Sequence, residues 1–254
     1  VILVVDMGNT HIKLGLLEGE QIVLSQRLST DLSRTAAEYA VLINQIFQIG
    51  HIDVAQIAGA IISSVVPPVT NELREAVKMV TGKTALIVGP GMKTGLKIKL
   101  EDPKALGADL LVECVAAKEL YGAPCIVIGL GTATTMFVID REQAYIGGIV
   151  TAGVGISLAA LSSGTSKLPK IDLSAPKKVI NTDTVAAMQA GSVYGTAAML
   201  DGLCEAMQQE VGYPCRVVAT GGLARLIVPY CRTSIILDND LMLKGLRLLY
   251  EKNA

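Results

Sequence analysis

Apolar positions fall in short blocks along this chain, and the blocks alternate between strand and helix periods. Residues 1–25 read as two apolar strands joined through Leu17-Glu18-Gly19-Glu20, a hairpin that follows a Gly turn. Residues 36–49 (AAEYAVLINQIFQI) have helical apolar spacing, and 57–66 form a strand stopped by Pro67 and Pro68. A helix over 69–82, with Gly82 near its end, leads to a strand over 84–89. Residues 106–122 form a helix whose first turn holds Asp109, where a carboxylate suits the helix dipole. A second strand-turn-strand segment (125–140) precedes a long helix over 182–211, a strand into a Gly turn (215–222) and a closing amphipathic helix over 240–253. In the long helix, Ala187, Gly191 and Gly195 leave one nearly smooth face that another backbone can approach. Strands alternating with helices predict an α/β protein.

One internal comparison sharpens that picture. The segment CIVIGLGTATTMFVID (125–140) aligns without gaps on ILVVDMGNTHIKLGLL (2–17). Both are an apolar strand, a Gly turn with polar side chains, and a second strand. The repeat predicts two similar lobes, each starting with a hairpin.

Composition narrows the function classes. Half of the 254 residues are hydrophobic and only 18% are charged, which excludes a disordered chain. Net charge is −1 and no basic run exceeds two residues, so nothing favours nucleic acid as a partner. Five cysteines, an odd number without a C-x-x-C pair, read as buried cytosolic thiols rather than a disulfide framework or zinc site. Residues 143–166 carry no charge, but glycines and hydroxyls interrupt them; they predict buried loop and helix, with no membrane span. No secretory leader pattern opens the chain, and a cytoplasmic protein is expected.

The first twenty residues then raise a chemical question. Asp6 ends a buried strand, where a carboxylate is costly unless something pairs with it. Mg²⁺, an oxygen-seeking ion that accompanies phosphates, is a natural partner. Gly8 allows close approach of backbone to phosphate, and Asn9 and Thr10 supply donors. GLGTATT (129–135) is a second such turn, and ATGG (219–222) a third, placed for a nucleoside. His11 and His51, the two histidines, read as structural residues. Lys13 belongs on the strand after the first turn, with a phosphate contact as the alternative.

These residues carry a family resemblance. DMGNTHIKLG (6–15) matches the D-x-G-N-T-x-x-x-x-G signature of the type III pantothenate kinases. The likeness continues through SSVVPPV (63–69), TGL (94–96), GAD (107–109), GTATT (131–135), LP (168–169), DTVAAMQAG (183–191), ATGGLA (219–224) and LKGLRLLYEKN (243–253). It implies the α/β fold of two ribonuclease-H-like lobes shared by acetate and sugar kinases, Hsp70 and actin, divided here as 1–120 and 121–254. The implied activity is transfer of a phosphoryl group from ATP to pantothenate, giving 4'-phosphopantothenate, by a cytoplasmic homodimer. By the same resemblance, Asp6, Met7, Gly8, Asn9, Thr10, His11, Ile12 and Lys13 line the ATP phosphates, with Asp6 organising Mg²⁺ through water. Thr132 touches ATP from the second lobe. Gly107, Ala108, Asp109, Leu110 and Thr184 hold pantothenate, and Asp109 is the base.

Several positions depart from the family pattern. Leu110 replaces an arginine that helps hold substrate, and Gly129 replaces an aspartate that binds a monovalent cation (K⁺ or NH₄⁺). Leu100 and Ala152 replace an aromatic residue and a proline, while Asp183 and Glu113 stand where asparagine is usual. Asp183 or Glu113 is a candidate to restore the charge missing at 129. Two readings follow: a pantothenate kinase with altered cation need or a related substrate, or an impaired relative serving as a nucleotide-binding regulatory or assembly protein.

Overall fold

The computed structural model describes residues 1–103 and 106–254. The chain forms two compact units, one of Val1–Gly95, Asp102–Ala116 and Leu241–Ala254, the other of Leu96–Glu101 and Ala117–Asp240.

In the first unit, β1 (Ile2–Met7), β2 (His11–Glu18) and β3 (Gln21–Ser29) form an antiparallel meander. The sequence pattern gave two strands here. The third appears because Gly8 and Gly19 each make a turn, Gly19 with a positive φ of 56°. Helix α1 (Ala36–Ile49) begins with a Thr35–Glu38 capping box. Strand β4 (Gly59–Ser64) then returns parallel to β1, and α2 (Pro67–Thr81) leads to the short β5 (Leu86–Ile87). Pro67 and Pro68 therefore open a helix as well as closing a strand; their missing N–H groups cost nothing in a first helical turn. Sheet order is β3-β2-β1-β4-β5. One face buries Leu3, Val5 and Met7 against Tyr39, Ile43 and Phe47 of α1 and Leu73 and Val77 of α2.

The second unit repeats this plan. Strands β7 (Cys125–Leu130), β8 (Ala133–Ile139) and β9 (Ala144–Ala152) form the meander. Helices α4 (Val154–Ser163) and α5 (Thr184–Val211) precede β10 (Arg216–Thr220), parallel to β7. Helix α6 (Ala224–Ile227) and β11 (Ile235–Leu237) follow, and β6 (Lys97–Ile98) joins the far edge. The order is β11-β10-β7-β8-β9-β6. Met136, Val193, Ala197 and Leu200 belong to its core. The uncharged 143–166 stretch becomes β9 and α4, and no helix among the described residues is long and apolar enough to cross a membrane.

The gapless repeat holds through the first strand and then slips. Met7 pairs with Ile12 across four residues (8–11), whereas Leu130 pairs with Thr134 across three (131–133). The second turn is one residue shorter.

Helix α7 (Leu241–Asn253) corrects the division at 120/121, because it packs with the first unit. Leu243 fills the space beside Gly15, the Tyr250 ring lies where a Cβ on Gly59 would be, and Gly245 sits against the Val112 backbone. Val112 belongs to α3 (Ala108–Tyr121), whose first part also belongs to this unit.

Candidate active site

Strand register builds the centre of the first unit's site. Asp6 is the register partner of Lys13 on β2 and of Ser63 on β4. Partners across a ladder point to the same face, so the three side chains form a row opposite the apolar core. Asp109 and Glu113, one turn apart on α3, add two carboxyls from the same helix face. The groups sense one another. Burial, then the Asp109 charge, pushes Asp6 up to about 7, and Lys13 partly opposes them. Burial, then the Asp109 and Asp6 charges, pushes Glu113 up to about 8.

Such crowding favours a cation. Among the described residues no three His, Cys, Asp or Glu side chains are placed to hold a metal ion together. Mg²⁺ keeps several waters and uses one or two carboxylates with phosphate oxygens, and Asp6 is the carboxyl that would serve it here.

The turn after Asp6 is tied at its base and open at its tip. Gly8 N–H donates to the His11 carbonyl (3.0 Å), and Thr30 Oγ1 donates to the Gly8 carbonyl (2.7 Å). The Thr30 N–H donates to the Thr10 carbonyl (3.0 Å). Asn9, Thr10 and His11 are exposed as a result. Thr30 was missed from sequence, where a threonine after a strand gives no distinguishing signal. Met7 and Ile12, by contrast, are fully buried in the core, so only their backbone groups face the turn.

At the start of α3, Asp109 Oδ1 accepts from Leu110 N–H (2.9 Å). A Cβ on Gly107 would lie 2.6 Å from that oxygen, so glycine makes room for the carboxylate. Ala108 and Leu110 are half-buried beside it.

In the second unit, Thr132 sits exposed at the Gly131–Thr132 turn, and its carbonyl accepts from Gly153 N–H (3.1 Å). A Cβ on Gly153 would overlap the Gly131 and Thr132 carbonyls, and one on Gly221 (φ 106°) would overlap the Leu130 backbone. Gly221 thus lets the Leu130 backbone come close to the turn. Gly129 is buried on β7, with Thr135 and Thr220 as its register partners. Thr184 is the exposed first residue of α5, and Asp183 caps that helix by accepting from Ala186 N–H (2.9 Å). Among the described residues, nothing lies within 4 Å of a Cβ built on Gly191 or Gly195.

Comparison with known proteins decides the family. The type III pantothenate kinase family profile matches residues 2–206. A type III pantothenate kinase of Exiguobacterium sp. is 44% identical over 253 residues, covering 100% of this chain and 99% of its own length. The chain belongs to the type III pantothenate kinase family. A second type III pantothenate kinase, from Halalkalibacterium halodurans, is 43% identical over 254 residues and the full length of both chains. Component A of (R)-2-hydroxyglutaryl-CoA dehydratase from Acidaminococcus fermentans superposes with a TM-score of 0.57 at 15% identity, covering 98% of this chain and 96% of that one. The two meander-led sheets agree with the sugar-kinase-type fold expected from the sequence.

Proposed function

We propose that this chain phosphorylates pantothenate with ATP, giving 4'-phosphopantothenate, the first step of coenzyme A synthesis. The observation that carries the proposal is the full-length relationship at 44% identity to a type III pantothenate kinase. Asp6 and Asp109, both kept and both in the first unit, support it.

Asp109 is the proposed base. Its carboxylate takes the proton of the acceptor hydroxyl as that oxygen bonds to the γ-phosphorus and ADP leaves. Gly107 and Ala108 hold the acceptor beside it, and the family resemblance adds Thr184 as an acceptor residue. The open turn at Gly8, Asn9, Thr10 and His11 and the Lys13 charge receive phosphate oxygens, and Thr132 is a nucleotide contact. Mg²⁺, when bound near Asp6, neutralises charge on the phosphates. Leu110 offers no charged donor to the acceptor's carboxylate. A charged hydrogen bond is worth roughly 1.5–3 kcal/mol, so the hold on pantothenate is weaker by about ten- to a hundredfold than with arginine.

The reading includes a cytoplasmic homodimer, with the open Ala187-Gly191-Gly195 face of α5 as one contact; light scattering tests it. Leu110 and Gly129 together favour a second reading, an impaired family member that binds nucleotide without turnover. A coupled assay of ADP release separates the two. Release that depends on pantothenate is expected; release indifferent to it would overturn the proposed acceptor.

A further inference from the structure

Ser63 and Ser64 end β4 side by side and have unlike surroundings. Ser64 Oγ contacts Thr70 Oγ1 (2.8 Å) and accepts from Val66 N–H (3.1 Å), which shapes the entry into α2. Ser63 is fully buried, and its Oγ has no hydrogen-bond partner among the described residues. A buried hydroxyl without a partner destabilises a folded chain and calls for a physical reason.

Its position supplies one. Ser63 is the register partner of Asp6 on the neighbouring parallel strand, so the two side chains share a face. Adjacent strands lie about 4.8 Å apart, and rotation about the Ser63 Cα–Cβ bond carries the hydroxyl into reach of the carboxylate. An Asp6 carboxylate that turns one oxygen toward an ion's water needs a donor for the other. On the buried side, Ser63 is the adjacent hydroxyl.

We propose that Ser63 is a positioning residue for Asp6: its hydroxyl donates to the Asp6 carboxylate when Mg²⁺·nucleotide occupies the site. The proposal rests on the kinase reading for its nucleotide and is independent of which acceptor is phosphorylated. A serine that only filled space would be replaced by alanine without consequence for nucleotide binding. A serine that orients Asp6 is silent in the ligand-free protein and matters when the site is loaded.

The test uses Ser63→Ala and Ser63→Thr, with Mg²⁺ and the non-hydrolysable analogue AMPPNP. Calorimetry gives Kd with Mg²⁺ and with EDTA, and thermal unfolding is followed without ligand. Ser63→Ala is expected to weaken Mg²⁺·AMPPNP about tenfold, the size of one charge-assisted hydrogen bond. Metal-free binding should change less than about twofold and the ligand-free Tm should hold or rise, since an unpaired hydroxyl has been removed. Ser63→Thr, which keeps the hydroxyl, should bind within about twofold of the parent, and its Tm reports any crowding by the added methyl. Wild-type affinity in Ser63→Ala would overturn the proposal, as would a lowered Tm with equal losses with and without Mg²⁺. A folded Ser63→Thr as weak as the alanine variant would overturn it as well. If the parent binds Mg²⁺·AMPPNP yet ignores pantothenate, the acceptor assignment falls and the Ser63 comparison still decides. If it binds no Mg²⁺·nucleotide, both fall.

Discussion

The Asp6 hairpin and the Gly129 hairpin share one plan and carry different chemistry. Each is an apolar strand, a Gly turn and an antiparallel return, with a parallel strand on the other side. At equivalent places the first has a carboxyl in register with Lys13 and Ser63; the second has a glycine in register with Thr135 and Thr220. The turns differ too. Among the described residues, a Cβ on Gly8 would meet only the His11 carbonyl, at 3.3 Å, whereas the Gly131–Thr132 turn is pressed by Gly153, and Leu130 just before it by Gly221. The shared plan is set by apolar alternation and register, and the charge rests on single positions that the plan does not dictate.

The largest break in that comparison comes from the first unit. Asp109→Asn should keep nucleotide affinity and lower kcat by about a hundredfold or more, the usual scale for a lost general base. Unchanged turnover in a stopped assay would take Asp109 out of its role.

Restoring the missing groups should narrow the contrast. Leu110→Arg should lower KM for pantothenate by about tenfold or more through a charged hydrogen bond. Gly129→Asp supplies the oxygen ligand that a hard cation needs, so a rate nearly equal in K⁺ and Na⁺ should become several-fold higher in K⁺. Strong K⁺ activation of the parent would mean that other oxygens already serve the ion. Asp183, which caps α5 through one of its two carboxylate oxygens, is the first candidate.

The pressed second turn should be sensitive to one methyl. Gly153→Ala drives a Cβ into two carbonyl oxygens and should cost about 1–3 kcal/mol of stability. Gly8→Ala should cost less, and urea unfolding midpoints compare the two.

The smallest effect is one of pH. Glu113 titrates near 8 in the fold against 4.5 ordinarily, so the folded chain holds the extra proton between those values. Stability from this group is complete below about 4.5 and is lost as pH rises through 8. Glu113→Gln should therefore match the parent near pH 4.5 and exceed it above pH 8. We expect a gain of about 1–2 kcal/mol, below the full linkage value because the buried amide of glutamine carries a desolvation cost of its own. Tm values in Mg²⁺-free buffer across that range measure it.

The strands and long helices were legible because their apolar spacing is regular: α1 spans the expected 36–49, and the repeat marked both hairpins. Family motifs pointed to Asp6 and Asp109. Ser63 and Thr30 were hidden, since register and a long-range hydrogen bond give them meaning and neither is local. The turn through Glu18–Glu20 was read, and β3 (Gln21–Ser29) runs past the expected end at residue 25, where its half-exposed pattern weakens the apolar signal. The last helix looked like part of the second lobe because chain order was the only guide to its partner.

That last helix bears on how the molecule is made. Residues 1–95 leave the ribosome long before Leu241–Ala254, yet the notches at Gly15 and Gly59 are filled by Leu243 and Tyr250. Contacts so distant in sequence form late and slow the search for the native state. The apolar edge around Gly15 and Gly59 therefore stays bare through most of synthesis, a window in which a nascent chain is open to aggregation or to a chaperone's grip.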